Sequence, residues 1–253
     1  IQSPTSKINS EIDNMLLETL EAKWIDCFCE SFELSGVSAG ETIAILSESQ
    51  SRQVLVDLSE QALLRIGAKP VHIRVPSPKL KDPVPVRSTG SCYAMSGYDA
   101  IIPALSACDL IIDCTVEGML HTKELKTILE AGGRLYMISN EHPEILERCM
   151  PNIALRPKVE TSLKLLNESS MMQVSSRSGT QLSVKIKNAP CRAGAGYLLP
   201  EEKVAYWPAG LALFFPLQNT VSGRVVLAPG DVNLTFKRYF EDAVTLIIED
   251  DFV

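Results

Sequence analysis

Strand-like and helix-like segments alternate through the first 150 residues, and this alternation constrains the fold more than any other feature of the sequence. Buried strands are predicted at 41–48, 70–75, 109–115 and 134–139, where short aliphatic runs lack polar alternation. Strands that are apolar on both faces, and that helices separate, form parallel sheets covered by helices on both sides. The N-terminal part is therefore predicted to be a Rossmann-like α/β layer.

The segments between and around these strands carry apolar residues at helical spacing. Gly67 and the pair Gly132-Gly133 follow two of these segments as stop signals. Helices are predicted at 11–34, 52–66, 98–107, 122–133 and 143–150, and a loop rich in Pro, Ser and Lys is predicted at 76–90.

The pattern changes after about residue 160, where a helical stretch is followed by short strand-like runs separated by turns such as Ser178-Gly179. A second, β-rich (α+β) domain is therefore predicted, with residues 1–155 in the first domain and 156–253 in the second. The final residues, "VTLIIEDDFV", resemble a strand with little sequence left to cover its sheet. We therefore expect this domain to be incomplete and the chain to be the front part of a longer protein.

The charge balance and the length of the apolar runs exclude two classes of partner. The chain has 24 Lys and Arg against 31 Asp and Glu, a net charge of -7, and no basic stripe for a nucleic-acid backbone. Its apolar runs, such as 210–217, are far shorter than the roughly 20 residues of a membrane helix. The seven cysteines include no CxxC pair and are expected to be free thiols. We expect a soluble, cytoplasmic protein.

His121 lies just past the predicted strand 109–115, at the edge of the sheet where parallel α/β proteins bind ligands. Its ordinary pKa suits a general base, although a lone histidine is more often structural. Asp113, Glu117 and His121 are spaced four apart and would share one face of a helix as a metal site. The strand-like sequence and Gly118 instead favour a strand and a loop, in which the three side chains scatter. His72 and His142 are expected to be structural.

The glycines of 193–199, "AGAGYLL", give only a GxG, and the segment opens no predicted helix. A dinucleotide site is therefore not expected there.

Two blocks, 107–138 and 206–239, match the motifs of a known family in order and spacing. The second block contains a Trp-Pro-small-Gly segment at 207–210, then Pro216, a Gly-Asp turn at 230–231 and the pair Phe236-Lys237. With these residues the chain resembles the 2,5-dihydroxypyridine 5,6-dioxygenase family, which is structurally related to the M29 metallo-aminopeptidases. The resemblance covers most of residues 20–253.

The resemblance implies a non-haem Fe(II) dioxygenase that cleaves a hydroxylated aromatic or N-heteroaromatic ring with O2. It implies that His121 is the base that deprotonates the substrate hydroxyl, and that Leu120, Tyr206 and Trp207 contact the substrate. The family's iron ligands belong to a part beyond Val253, so Fe(II) is expected in the full-length protein and no metal ligand is assigned in this chain. The expected partners are the small aromatic substrate, O2 and further copies of the chain.

Two departures from related patterns bear on these implications. Gly210 and Leu211 stand where the aminopeptidases carry acidic residues, which counts against a two-metal peptidase. Tyr206 stands where the dioxygenase pattern has a histidine before Trp-Pro; a phenol can hydrogen-bond a substrate but is a weaker base, so a different ring substrate is left open. An M29-like aminopeptidase and a metal-free binding protein remain as alternatives.

Overall fold

The computed structural model describes residues 19–79, 93–208, 210–233 and 238–253, and for His121 it describes the backbone alone. Five sequence predictions fall wholly or partly outside these ranges: the start of the helix at 11–34, most of the loop at 76–90, the free thiol of Cys92, the third residue of the segment 207–210, and the pair Phe236-Lys237. The remaining predicted segments can be compared with the structure directly.

Five parallel strands form the first sheet, in the order β2-β1-β3-β4-β8. Their bounds are β1 (Thr42–Glu48), β2 (Lys69–Val75), β3 (Leu110–Asp113), β4 (Leu135–Ile138) and β8 (Val204–Trp207).

Helices connect these strands and cover both faces of the sheet. They are α1 (Ala22–Leu34), α2 (Gln53–Ile66), α3 (Ile102–Ser106), α4 (Leu125–Glu130) and α5 (Pro143–Arg148), with 3-10 turns at Asp99–Ile101 and Met119–His121. The alternating helices and strands predicted through residue 150 are confirmed.

The central strand β1 is apolar on both faces because each face lies against a separate hydrophobic cluster. Ile43 and Ile45 pack in the cluster that contains α1 and α2, whereas Ala44 and Leu46 pack in the cluster that contains α3 and α4. All four side chains are fully buried. A strand buried in this way reads as a continuous apolar run, which is why the sequence located it correctly.

The chain adds strands on one side of β1 and then on the other, so the topological switch point of the sheet lies between β1 and β3. The chain passes from β1 to β2 on one side and then returns to β3 on the other side of β1. In open parallel sheets of this kind, ligands bind outside the carboxyl ends of the strands at the switch point. The functional site is therefore sought at the ends of β1 and β3.

The second part of the chain is rich in antiparallel strands. Helix α6 (Leu155–Glu168) precedes them and packs on an antiparallel pair of strands, β7 (Cys191–Gly194) and β9 (Leu211–Phe214). The other strands form a four-stranded sheet, β13-β10-β6-β5, and a small pair, β11-β12. The bounds are β5 (Met171–Ser175), β6 (Gln181–Lys185), β7 (Cys191–Gly194), β9 (Leu211–Phe214), β10 (Val221–Leu227), β11 (Val232–Asn233), β12 (Arg238–Tyr239) and β13 (Val244–Ile248).

The predicted fold class, a parallel α/β layer followed by a β-rich part, is confirmed. Strand β8, which lies at one edge of the parallel sheet, was not predicted. It comes from residues 204–207, within the region assigned to the second domain, so the division at residue 155 stays a prediction. Within the described ranges, no helix combines the length and the apolar character that crossing a bilayer requires.

A buried hydrogen-bond network ties the first sheet to the segment after β7. The Tyr136 hydroxyl donates to the carbonyl of Gly196 at 2.8 Å and shares a hydrogen bond with the Ser31 hydroxyl. Ser35 accepts a hydrogen bond from the backbone N–H of Leu198. The glycine segment "AGAGYLL" therefore has a structural role, because its backbone links β7 to β4 and α1 through these hydrogen bonds.

We expect Tyr136→Phe to lower the free energy of unfolding by about 1–3 kcal/mol, because it leaves the Gly196 carbonyl and the Ser31 hydroxyl without a buried partner. Denaturant unfolding of the purified variant measures this loss. Tyr239→Phe is the matched control, because Tyr239 is 68% exposed and its change should stay within about 0.5 kcal/mol. Equal stability losses in the two variants would contradict the role of the network.

Candidate active site

Four side chains from four neighbouring strands lie on the same face at the carboxyl edge of the sheet. Asp113 pairs with Leu46 on one side and with Met137 on the other, and Met137 pairs with Tyr206. Paired residues of parallel strands point to the same face, and side chains alternate along a strand. Glu48, two residues after Leu46, therefore joins Asp113, Met137 and Tyr206 on this face.

The loop 114–121 leaves β3 at this edge and turns back over β4. Gly118 has a φ of +79°, and a Cβ at this position would lie 2.1 Å from the Met137 sulfur. Glycine is required here both by the positive φ and by the close approach of the Met137 side chain. The loop therefore packs directly on β4, the strand that pairs with β8.

Two buried carboxylates fix the path of this loop. Asp113 accepts hydrogen bonds from the Thr115 backbone N–H at 2.9 Å, from the Thr115 hydroxyl at 2.6 Å, and from the Met119 N–H at 2.5 Å. Glu48 accepts the Val116 N–H at 2.6 Å. Both residues are almost completely buried, at 0% and 3% exposure. The loop that carries His121 is thus held by acceptors at the ends of β3 and β1.

Burial raises the pKa of Asp113 to about 6, and the hydrogen bonds from Met119 and Thr115 oppose the rise. The negative charge of Glu48 adds to the rise. Because the folded-state pKa lies above the unfolded value, the folded protein retains the proton that the unfolded chain loses as pH rises. The contribution of Asp113 to stability therefore falls between about pH 4 and pH 6.

We expect the free energy of unfolding of the wild type to fall, relative to Asp113→Asn, by about 2 kcal/mol as the pH rises from 4 to 7. The amide cannot ionise in this range, so the difference between the two proteins isolates the ionisation of Asp113. Urea unfolding of both proteins at each pH measures the difference. A difference that stays constant with pH would show that Asp113 ionises normally.

Leu120 and His121 end the loop in the 3-10 turn Met119–His121, immediately before α4. Met119 is fully buried, and Leu120 is half-buried against the same hydrophobic cluster. The predicted location of His121, just past the end of β3 at the carboxyl edge, is confirmed for its backbone. Its role as a base stays a prediction.

Tyr206 occupies the carboxyl half of β8, half-buried beside Met137. A Cβ on Gly194 would lie 2.5 Å from the Tyr206 hydroxyl oxygen, so this glycine leaves the space that the phenol occupies. Burial raises the pKa of the phenol, and the charge of Glu202 adds to the rise. Tyr206 is therefore a neutral hydrogen-bonding group near physiological pH.

Trp207 points to the opposite face of the sheet and is fully buried. Its indole N–H donates to the carbonyls of Leu146 at 3.1 Å and Cys149 at 3.0 Å, and its ring centroid lies 5.0 Å from that of Phe28. This side chain is a core residue that anchors β8. Its predicted contact with substrate stays a prediction that rests on the family resemblance.

Asp113, Glu117 and His121 do not share a helical face. Asp113 ends β3, Glu117 lies in the loop and His121 ends the 3-10 turn. In the part of the chain that the structure describes, no group of three His, Cys, Asp or Glu could hold a metal ion. His72 pairs with Glu60 at 3.2 Å, and His142 caps α5 by accepting the Glu144 N–H, in accord with the structural roles predicted for both.

Sequence reasoning missed Glu48, Met137 and Gly194, which shape the surroundings of the predicted residues. Glu48 could have been found because it is the charged residue at the end of a buried apolar strand, next to the topological switch point of the sheet. Met137 and Gly194 gave no such signal, because their importance depends on contacts with Gly118 and Tyr206 that only the fold creates.

A family model, a curated protein and a solved structure all relate this chain to the same family. The model of the family described as NicX, 2,5-dihydroxypyridine 5,6-dioxygenase, matches residues 23–253. The 2,5-dihydroxypyridine 5,6-dioxygenase of Pseudomonas putida KT2440 is 28% identical over 236 residues, which are 92% of this chain and 66% of that protein. The chain thus spans about two thirds of the length of this relative.

Solved structures show the same relationship at the level of the fold. The structure of 2,5-dihydroxypyridine dioxygenase from Pseudomonas putida KT2440 has a TM-score of 0.80 and 27% identity, over 92% of this chain and 67% of that one. The M29 aminopeptidase AmpT from Thermus thermophilus has a TM-score of 0.52 and 13% identity, over 81% of this chain and 64% of that one. The second similarity concerns the fold alone.

Proposed function

Because the chain belongs to the 2,5-dihydroxypyridine 5,6-dioxygenase family, we propose that the protein opens a hydroxylated N-heteroaromatic ring, such as a dihydroxypyridine, with molecular oxygen. The observation that carries the proposal is the family match over residues 23–253. The carboxyl edge of the sheet supports it, because the loop bearing Leu120 and His121 lies on β4 next to Tyr206.

In this proposal His121 is the general base that removes the proton of a ring hydroxyl. Deprotonation makes the ring electron-rich, which favours its reaction with dioxygen. Leu120 supplies an apolar contact to the ring, and the neutral Tyr206 phenol donates a hydrogen bond to a ring oxygen or nitrogen. Trp207 holds β8, and with it Tyr206, from the opposite side of the sheet.

The family is consistent with a metal cofactor, and the resemblance implies Fe(II). The residues described in this structure do not fit such a group, because they include no cluster of three suitable ligands. The Asp113 carboxylate already accepts three hydrogen bonds from its own loop. The mechanism assigned to this chain is therefore restricted to binding the ring and transferring its proton.

The aminopeptidase alternative has weaker support. AmpT shares only 13% identity, and Gly210 and Leu211 stand where acidic residues are expected in the peptidases. Gly210 has a φ of +87° and lies close to the Leu155 side chain. This position is shaped by backbone geometry and apolar packing, which suits a structural turn better than a metal ligand.

We extend the proposal to a cytoplasmic homo-oligomer. The six described cysteines are unpaired, as is usual in a reducing compartment. Apolar side chains far from the end of the chain are exposed, among them Leu64 at 52% on α2 and Ile145 at 43% on α5, and self-association would cover them. Sedimentation velocity of the full-length protein tests this point, and a monomer at all concentrations would contradict it.

The substrate class is tested with a panel of dihydroxypyridines, hydroxybenzoates and aminoacyl amides, supplied to the full-length protein with Fe(II), Zn²⁺ or Co²⁺. The proposal predicts loss of ring absorbance with a hydroxylated pyridine, dependent on Fe(II) and on air. Release of amine from the aminoacyl amides without any loss of ring absorbance would show that the protein is an aminopeptidase. Binding of a ring without turnover would indicate the non-catalytic alternative.

A further inference from the structure

Glu48 and Asp113 occupy equivalent positions at the ends of two neighbouring parallel strands. Glu48 is the last residue of β1 and Asp113 the last residue of β3, and both side chains face the same side of the sheet. This is the point at which the strand order reverses. In other parallel sheets such a crevice receives a ligand. Here the chain's own loop lies across it.

The two carboxylates accept hydrogen bonds from backbone positions that are close together along the loop. They engage the backbone N–H groups of Thr115, Val116 and Met119. These residues lead directly to Leu120 and His121, the two residues of the loop predicted to meet the substrate. The close contact of Gly118 with Met137 is a fourth attachment, in addition to the three backbone hydrogen bonds. The path of the chain into His121 is thus determined from both sides of the strand reversal.

Anchoring a loop does not by itself require buried carboxylates. An amide or hydroxyl side chain can accept a backbone hydrogen bond at a smaller desolvation cost. A carboxylate differs because it can accept through both oxygens, as Asp113 does from Thr115 and from Met119. Asp113 thus binds the loop through both oxygens and Glu48 through one, so buried acceptors hold the backbone of one short loop at Thr115, Val116 and Met119.

We propose that Glu48 and Asp113 are positioning residues for the ring-cleavage reaction, which hold the backbone of loop 114–121 so that Leu120 and His121 meet the substrate in one fixed geometry. This inference rests on the proposed function. Neither carboxylate contacts the ring in this account. Both act through His121, whose proton transfer depends on distances that tolerate little error.

The first test compares Asp113→Asn and Glu48→Gln with the wild type in steady-state ring cleavage by the full-length protein. We expect kcat to fall by about 10–100-fold in Asp113→Asn, and by a smaller factor in Glu48→Gln, with KM changed less than about threefold. Asp251→Asn is the matched control. The Asp251 carboxylate likewise accepts three hydrogen bonds, from the backbone N–H groups of Asn219, Thr220 and Val221, and it lies outside the parallel sheet.

A double-mutant cycle separates positioning from general destabilisation. If Asp113 acts through His121, then Asp113→Asn should have almost no further effect on kcat in a protein that already carries His121→Ala. Full additivity of the two losses would overturn the proposal. So would an unchanged kcat in both single carboxylate variants, as would an equal loss in Asp251→Asn.

Hydrogen exchange of the loop amides provides a readout that does not need activity. We expect the amides of residues 115–119 to exchange at least tenfold faster in Asp113→Asn and in Glu48→Gln, and at the wild-type rate in Asp251→Asn. Unchanged exchange in both site variants would overturn the proposal at its structural step. Faster exchange in a protein that cleaves no ring would instead show that the proposed function is wrong while the anchoring is real.

Discussion

Replacing His121 with alanine is expected to lower kcat for ring cleavage by about 10²–10⁴-fold, because the substrate hydroxyl loses its general base. The fall should be smallest at high pH, where more of the substrate is already deprotonated in solution. Steady-state assays of the full-length protein between pH 6 and pH 9 measure both effects. The thermal midpoint should change little, because the residue lies in a turn at the edge of the sheet.

His72→Ala is the control for this experiment. His72 lies on β2, half exposed and paired with Glu60, on the far side of β1 from the loop. It should retain wild-type kcat at every pH. If His121→Ala also retains wild-type activity, the histidine is an ordinary turn residue and the base must be sought elsewhere.

Gly118→Ala is expected to lower the free energy of unfolding by about 2–4 kcal/mol. The backbone of Gly118, with φ +79° and ψ +139°, lies outside the left-handed helical region in a conformation adopted almost only by glycine, which disfavours a Cβ by about 1–3 kcal/mol. The Cβ would also overlap the Met137 side chain, which is half-buried and flexible and must leave its preferred rotamer, at a further cost of about 1 kcal/mol. Chemical denaturation measures the loss, and ring cleavage should fall along with it because the loop is displaced from β4.

Gly40→Ala separates these two contributions. Gly40 has a φ of +89°, and a Cβ there would meet nothing within 4 Å, so only the backbone cost of about 1–2 kcal/mol applies. Combining Gly118→Ala with Met137→Ala should recover part of the overlap cost. If Gly118→Ala and Gly40→Ala are equally stable, the close contact between the loop and β4 does not exist in solution.

Much of the parallel sheet could be predicted from the sequence, because buried strands and amphipathic helices leave patterns of different period. Strand β1 was located at 41–48, and the structure has it at Thr42–Glu48. The segment 109–115 was similarly located, although the strand itself ends at Asp113. Local sequence was sufficient here because each element is buried by its own immediate neighbours along the chain.

Strand β8 could not be predicted in the same way. It has four residues, its burial alternates between half-buried and buried, and it completes a sheet whose other strands lie more than 60 residues earlier. Such a strand is defined by its partner, β4, rather than by its own pattern. Tyr206 was connected to the site by family resemblance alone, and its position beside Met137 emerged only from the fold.

The anchoring of the loop was equally hidden in the sequence. Asp113 was considered as a metal ligand because of its spacing from Glu117 and His121, whereas the structure turns its carboxylate onto its own loop. Side-chain spacing predicts a shared face only if the secondary structure is known. The strand-like sequence and Gly118 were the two local signals that favoured a strand and a loop over a helix, and the structure has that arrangement.

The proposed function requires that the protein insert molecular oxygen into a hydroxylated pyridine ring. The most direct measurement supplies ¹⁸O2 to the full-length, Fe(II)-loaded protein with a dihydroxypyridine, and follows oxygen uptake and product mass together. We expect one O2 to be consumed per ring opened and two ¹⁸O atoms to be added to the product. Ring loss without oxygen uptake, or a product that carries oxygen only from water, would contradict it.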